Sequence, residues 1–249
     1  MNQTLIIGAS GGIGFAMTRL LLEKGSRVIA TVRSDTSQNT ERLKKLDEKY
    51  KDQIILVTMD IAQQHSIEKG FSSIQNLTDK LHLILNCSGL LHKDNGLQPE
   101  KRLEDINAEN LAESFSVNAT APLLIARYAL PLLRHKEKNV LSNISARVGS
   151  ISDNKTGGWY AYRAAKAAQN MITRTIAIEL SRRSPDTICV GLHPGTVDTA
   201  LSQPFQKNLK AGQLTTPEQS ANYLYNVISG LKNEDSGKVF AWDGSEILP

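Results

Sequence analysis

Residues 4–14 read Thr4-Leu5-Ile6-Ile7-Gly8-Ala9-Ser10-Gly11-Gly12-Ile13-Gly14, an apolar run that breaks into glycines and then resumes with another period. Thr4 to Ile7 has the short, unbroken apolar character of a strand covered on both faces. Past the glycines, Ile13, Met17, Leu20 and Leu21 fall on one face of a helix that Gly25 stops. A glycine-rich turn between strand and helix lets backbone N–H groups approach an anion at the positive helix terminus. The spacing Gly8-x-x-x-Gly12-x-Gly14 lacks the Lys and Ser/Thr of a P-loop, which argues against a nucleoside triphosphatase. A dinucleotide pyrophosphate is the anion this context favours, with Gly8, Ser10, Gly12, Ile13 and Gly14 around it.

The alternation continues outward from that stretch. Arg27 to Val32, Ile54 to Thr58, Leu81 to Asn86, Val140 to Ile144, Thr187 to Leu192 and Lys238 to Ala241 read as further strands, nearly all continuously apolar. Helices are expected over Gln38 to Tyr50, Ala62 to Leu77, about Asn107 to Arg134, and Trp159 to Leu180, with Pro122 and Pro131 disturbing the third. The last helix has a legible start: Thr216 caps it, Pro217 suits its first turn, and Gln219 completes a capping box. The pattern predicts one α/β domain over residues 1–249. Its sheet is doubly wound, Rossmann-type, about seven-stranded and mainly parallel, with helices on both faces. His193 to Leu214 has no clear period and reads as a lid, with residues 196–215 as a substrate loop. That loop mixes Leu201, Pro204, Phe205 and Leu209 with Lys207 and Lys210, which suits an apolar substrate.

Composition narrows the function classes. A chain of 249 residues, 40% hydrophobic and 22% charged, is long enough to bury a sizeable core. The formal charge of +4 comes with no Lys/Arg block and interleaved aromatics, so no nucleic-acid partner is expected. No apolar run approaches the roughly 20 residues of a membrane span, and the N-terminus does not resemble a signal peptide; a cytoplasmic protein is expected. Cys87 and Cys189 lie in apolar strand-like surroundings and read as reduced and buried. The five histidines are scattered without ligand spacing, so no metal is expected.

Tyr162 and Lys166 lie four residues apart in an Ala-rich helix, which sets a phenol beside an ammonium on one face. A neighbouring cation favours phenolate and prepares a proton donor or acceptor. With six tyrosines in the chain, such a pair means little in isolation. Its context decides. Gly8, Arg33, Asp60, Asn86, Ser145 and Pro194 each follow a predicted strand closely, and ligands of an open parallel sheet bind outside those strand ends. At the end of the second strand, where a carboxylate would hold the ribose of NAD, the chain reads Val32-Arg33. Arg33 suits a 2′-phosphate, so NADP(H) is expected over NAD(H), although Asp35 opposes that preference.

On these residues the chain resembles a short-chain dehydrogenase/reductase over nearly its whole length. The motifs stand in the family's order: the glycine loop, Asp60, Asn86-Cys87-Ser88-Gly89, Asn118, Tyr162-x-x-x-Lys166, and Pro194-Gly195-x-Val197-x-Thr199. The resemblance implies that Tyr162 exchanges a proton with the substrate oxygen while hydride moves between nicotinamide and carbon. It assigns Lys166 to the Tyr pKa and the nicotinamide ribose, and Asn118 to a water linking Lys166 with solvent. Asp60 and Ile61 would contact the adenine, Asn86, Cys87, Ser88 and Gly89 the adenosine side, and Pro194, Gly195, Val197 and Thr199 the carboxamide end. One position departs. Aligned on Asn143 and Gly149, the family's catalytic serine falls on Ala146, leaving Ser145 or Ser150 to supply the hydroxyl, with Ser145 preferred. The segments RVGS, GGWYAYR, LHPG and Trp242-Asp243-Gly244 are similar to the C-factor/sniffer branch of carbonyl reductases. The resemblance implies reduction of a small carbonyl compound, or a nucleotide-binding signalling protein on the same fold. It also implies a homodimer or homotetramer through the two long helices. Met171 and Ile172 are candidate contacts there, with burial in the core as the competing reading.

Overall fold

The strands are β1 (Gln3–Ile7), β2 (Arg27–Val32), β3 (Ile54–Thr58), β4 (Leu83–Asn86), β5 (Asn139–Ile144), β6 (Thr187–His193) and β9 (Val239–Ala241). They form one sheet in the order β3-β2-β1-β4-β5-β6-β9, and every pair is parallel. The computed structural model describes residues 2–34, 38–94, 96–209 and 212–249. The chain winds outward from β1 through β2 and β3, then returns to place β4 on the other side of β1. The crevice for a ligand opens at that reversal.

Seven α-helices cover the sheet among the described residues: α1 (Gly12–Glu23), α2 (Gln38–Lys49), α3 (Gln64–Gln75), α4 (Ala108–Phe115), α5 (Ala121–Leu133), α6 (Tyr160–Arg183) and α7 (Pro217–Gly230). Alternation along β1 sends Ile6 to one face and Leu5 and Ile7 to the other, and all three are fully buried. On the first face Met17, Leu21, Leu43, Leu224 and Ile228 pack against Ile6, Leu85 and Val190. On the second, Phe71, Ile125, Leu132, Ile176 and Leu180 pack against Leu5, Ile7, Ile84 and Leu141. A strand buried on both sides needs apolar residues at every position, which is why these segments do not alternate. Thr216 and Gln219 form the expected capping box of α7.

Two expectations change in detail. The long helical stretch is interrupted: a π-helical segment, Ser116–Thr120, separates α4 from α5. Pro122 has no N–H, so the α-type bond onto the Asn118 carbonyl cannot form, and the backbone widens there. α3 starts two residues later than the pattern suggested. Asp60 Oδ1 accepts from Ala62 N–H at 3.0 Å and Ser66 Oγ accepts from Asp60 N–H at 2.9 Å, which holds the preceding turn out of the helix. Within the segment read as a loop, β7 (Thr196–Val197) and β8 (Leu214–Thr215) pair in parallel, and a 3₁₀ segment spans Gln203–Asn208. Lys210 lies outside the described residues, as does Asp35.

Candidate active site

A cleft of about 960 Å³ lies at the carboxyl edge of the sheet, over the crevice between β1 and β4. The glycine loop forms one wall. Gly8 has φ +76°, and a Cβ there would stand 2.5 Å from Ser88 Oγ; a Cβ on Gly14 would stand 2.3 Å from the Gly8 carbonyl oxygen. Both positions therefore require glycine, one for its turn and one for close approach of helix and strand. The N-cap of α1, Gly11, offers no side-chain acceptor, and the first turn holds no acidic residue. The leading N–H groups of α1 are left for an anionic ligand. Gly8, Ser10, Gly12, Ile13 and Gly14 all line the cleft.

The cleft continues along the strand tips. Arg33, Asp60 and Ile61 line the cleft, and so do Cys87, Ser88 and Gly89. Arg33 is exposed and makes no ion pair with a described residue. Asn86 does not line the cleft. Its side chain is buried, donating from Nδ2 to Asn143 Oδ1 at 3.1 Å and accepting Ser88 N–H on Oδ1 at 3.1 Å. It laces β4 to β5 and shapes the Cys87–Gly89 turn that does reach the cleft. Burial pushes the Cys87 and Cys189 thiols up to about 12.

At the other end Tyr162 and Lys166 project from α6. Lys166 is 1% exposed; its Nζ donates to the Ile144 carbonyl at 2.8 Å and to Gln169 Oε1 at 2.9 Å. Nζ stands 5.6 Å from the centre of the Tyr162 ring. The Tyr162 hydroxyl makes no hydrogen bond to a described residue and borders the cleft. Burial pulls the Lys166 ammonium down to about 7 and pushes the Tyr162 hydroxyl above its ordinary range. Burial is the cause of both shifts, and it opposes the lowering of the Tyr162 hydroxyl that a neighbouring cation would bring.

Asn118 sits in the π segment and does not line the cleft. Its Nδ2 donates to the Leu90 carbonyl at 2.7 Å, and its Oδ1 accepts Leu90 N–H at 3.1 Å. This two-way clamp fixes the segment that leaves Gly89, whose Cβ position is 4.0 Å from Lys166 Nζ. Ser145 lines the cleft, but its Oγ donates to Asn170 Oδ1 at 2.7 Å. Ser150 Oγ donates to the Leu248 carbonyl at 2.6 Å, away from the cleft lining. Ala146 presents a methyl group to the cleft. Pro194, Gly195, Val197 and Thr199 close this end.

Several contributors escaped the sequence reading. Gln169, 1% exposed, supplies half of the Lys166 cradle. Glu100 accepts Ala161 N–H on Oε2 at 3.2 Å and Trp159 N–H on its carbonyl, and so caps α6 from a distant segment. Trp159 precedes α6 in the left-handed region at φ +53°, a strained conformation for a bulky residue. Its ring lies 4.9 Å from Phe205 and 6.3 Å from Tyr162. His92 meets Phe205 from the far side at 5.7 Å. Trp159, Tyr162, Phe205, Leu201 and Leu209 line the cleft and make this end of it apolar, whereas His92 does not reach the lining. Met171 is exposed, whereas Ile172 packs on the core beneath α6.

Comparison with known proteins agrees with this geometry. A family model described as short chain dehydrogenase matches residues 2–210. The 1-hydroxy-2-glutathionyl-2-methyl-3-butene dehydrogenase of Rhodococcus sp. (strain AD45) is 28% identical over 245 residues, covering 98% of both chains. The C-signal protein of Myxococcus xanthus is 35% identical over 145 residues, 58% of this chain and 82% of that one. Among solved structures, the NADPH-bound carbonyl reductase from chicken fatty liver superposes with a TM-score of 0.89 at 26% identity, covering 100% of this chain and 94% of that one.

Proposed function

The chain belongs to the short-chain dehydrogenase family, and on that premise we propose that it is an NADPH-dependent reductase of small aldehydes or ketones. The observation that carries this reading is the Tyr162 hydroxyl, without a hydrogen bond to any described residue, at one end of a cleft whose other wall is the N-terminus of α1, where Gly11 gives no side-chain cap. The residues present fit a dinucleotide, since glycines open the cradle that a Cβ would fill at Gly8 and Gly14. NADPH, when bound, supplies the hydride that adds to the carbonyl carbon.

The chain's own residues do the rest. The amides of the glycine loop hold the pyrophosphate, and Arg33 pairs with the 2′-phosphate. Asp60, Ile61 and the Cys87–Gly89 turn hold the adenosine, with Asn86 supporting that turn. Pro194, Gly195, Val197 and Thr199 hold the carboxamide end. Tyr162 gives its proton to the substrate oxygen, which completes the alcohol, and recovers one from solvent through Lys166 and a water held at Asn118. Lys166 holds the nicotinamide ribose and, as a cation, stabilises the phenolate that remains. Ser145 joins the oxygen only by giving up its bond to Asn170. Leu201, Trp159, Phe205 and Leu209 accept the apolar part of the substrate. The exposed apolar side chains Leu111, Leu123, Met171 and Ile178 on α4, α5 and α6 are the surface for a homodimer or homotetramer, which sedimentation velocity would test.

The test is NADPH oxidation against a panel of aldehydes, ketones and quinones. Tyr162→Phe is expected to lower turnover by roughly 10²–10⁴-fold with NADPH binding nearly intact; retained turnover removes Tyr162 as the donor. A second reading, a nucleotide-binding regulator, is favoured by Ala146 and by the engaged hydroxyls of Ser145 and Ser150. Tight NADPH binding with no turnover across the panel would establish it.

A further inference from the structure

His193 is the last residue of β6 and lines the same cleft as Tyr162. Leu192 pairs with Ile144, and Ser145 N–H donates to the Leu192 carbonyl at 2.7 Å, so His193 stands beside the turn that begins Ser145-Ala146. Its Nδ1 is buried with no hydrogen-bond partner among the described residues. Its Nε2 makes no hydrogen bond to a described residue either, yet is not among the buried unpaired atoms. A buried N–H without an acceptor is costlier than a buried lone pair without a donor. The neutral ring therefore carries its proton on Nε2. Burial, assisted by Arg147 and opposed by Asp243, holds the ring down to about 4, so it stays neutral at physiological pH.

Other polar side chains at this end are engaged. Ser145 Oγ is bonded to Asn170, Lys166 Nζ to Ile144 and Gln169, and Ser202 Oγ and Thr199 Oγ1 to the Val197 carbonyl. Arg147 is drawn to Asp153 at 3.8 Å. Among the described lining residues at this end, Tyr162, His193, the Trp159 indole N–H and the Thr196 hydroxyl make no side-chain hydrogen bond, and of these His193 is the one that carries a buried unpaired ring nitrogen beside the Ser145-Ala146 turn.

We propose that His193 Nε2–H donates a second hydrogen bond to the substrate carbonyl oxygen, the bond that no hydroxyl at Ala146 can make. This inference rests on the reductase reading. His193 keeps its proton throughout: hydride adds to the carbonyl carbon, Tyr162 supplies the proton of the new alcohol, and the imidazole stabilises the charge developing on oxygen between the two. A single preorganised donor of this kind is worth roughly 10²–10³ in kcat.

The test compares wild type with His193→Ala, His193→Asn, and His193→Ala combined with Ala146→Ser, measuring kcat, KM and NADPH binding by fluorescence titration. His193→Ala is expected to lower kcat by roughly 10²-fold with NADPH affinity unchanged. Restoring a hydroxyl through Ala146→Ser should then recover at least roughly tenfold of that loss, and His193→Asn, which keeps an N–H, should lose less. Unchanged kcat in His193→Ala, or a loss that Ala146→Ser leaves unrepaired, overturns the inference. Nitrogen-15 spectra of the imidazole add a readout independent of turnover: a proton on Nδ1 would also overturn it. If wild type itself reduces no carbonyl compound, the reductase reading fails and takes this one with it; equal turnover by His193→Ala and an active wild type defeats this one alone.

Discussion

Gln169 Oε1 accepts a hydrogen bond from Lys166 Nζ at 2.9 Å, one turn further along the same helix. Both side chains are 1% exposed, so the lysine that serves Tyr162 is parked on neutral acceptors inside the protein. Neutral acceptors satisfy the ammonium's protons without matching its charge, and burial consequently lowers its pKa to about 7.

That shift fixes a pH dependence. The unfolded chain holds the Lys166 proton up to its ordinary value of 10.5, whereas the folded chain releases it near 7. Between those limits the unfolded state binds more protons, so stability rises with pH through that window. Urea unfolding of wild type and Lys166→Met at pH 7, 8 and 9 isolates the group, because the buried thiols and Tyr162 are common to both. The stability difference, wild type minus variant, is expected to climb with pH. Parallel curves would show that Lys166 keeps its proton in the fold.

Glu100 governs the start of α6, the helix that carries Tyr162 and Lys166. Trp159 has no side-chain cap to give, and the N–H groups of Trp159 and Ala161 both go to Glu100. Glu100→Ala leaves the Ala161 N–H buried and unpaired, a loss of about 1–3 kcal/mol. Glu100→Gln, whose amide oxygen still accepts, should recover part of it. Chemical denaturation reads both, and an Ala variant as stable as wild type would show that the cap is dispensable.

What the sequence discloses here depends on how local the cause is. The parallel sheet is legible because a strand buried on both faces must be apolar throughout, as Leu5, Ile6 and Ile7 are. The glycine loop and Tyr162-x-x-x-Lys166 are legible as motifs, and the structure brings both to one cleft because β1, which leads into the loop, and β5, which leads towards α6, end at one edge of the sheet. The cap from Glu100 is not, since it crosses 61 positions and replaces the local cap that Trp159 lacks. The engagement of Ser145 by Asn170 is hidden for the same reason: it depends on how α6 packs over the end of β5. Pro122 did announce an irregularity, but the backbone could answer it with a kink, a break or the π widening at Ser116–Thr120.

Gly149 is the point where the turn after β5 meets α6. A Cβ there would stand 2.9 Å from both the carbonyl carbon and the Cβ of Lys166. Gly149→Ala is expected to destabilise by roughly 1–3 kcal/mol and to lower kcat, because the turn or the lysine must move. Gly230, at the end of α7, has open space around its Cβ position. Gly230→Ala should be neutral or stabilise by up to about 1 kcal/mol. Unfolding curves that rank the two variants the other way would refute the contact.

The proposed preference for NADPH over NADH rests on Arg33 and is tested there. Arg33 stands at the cleft just past β2, exposed and without an ion pair to any described residue. A guanidinium there forms charge-assisted bonds with a 2′-phosphate, each worth about 1.5–3 kcal/mol. Arg33→Asp removes that attraction and adds repulsion, while its carboxylate can accept from the ribose hydroxyls of NADH. NADPH affinity should fall at least roughly tenfold and NADH affinity should rise. Salt supplies a second check, because an exposed ion pair is screened: wild-type affinity for NADPH should decline with ionic strength, and that slope should flatten in the variant. An unchanged preference and an unchanged slope together would place the 2′-phosphate away from Arg33.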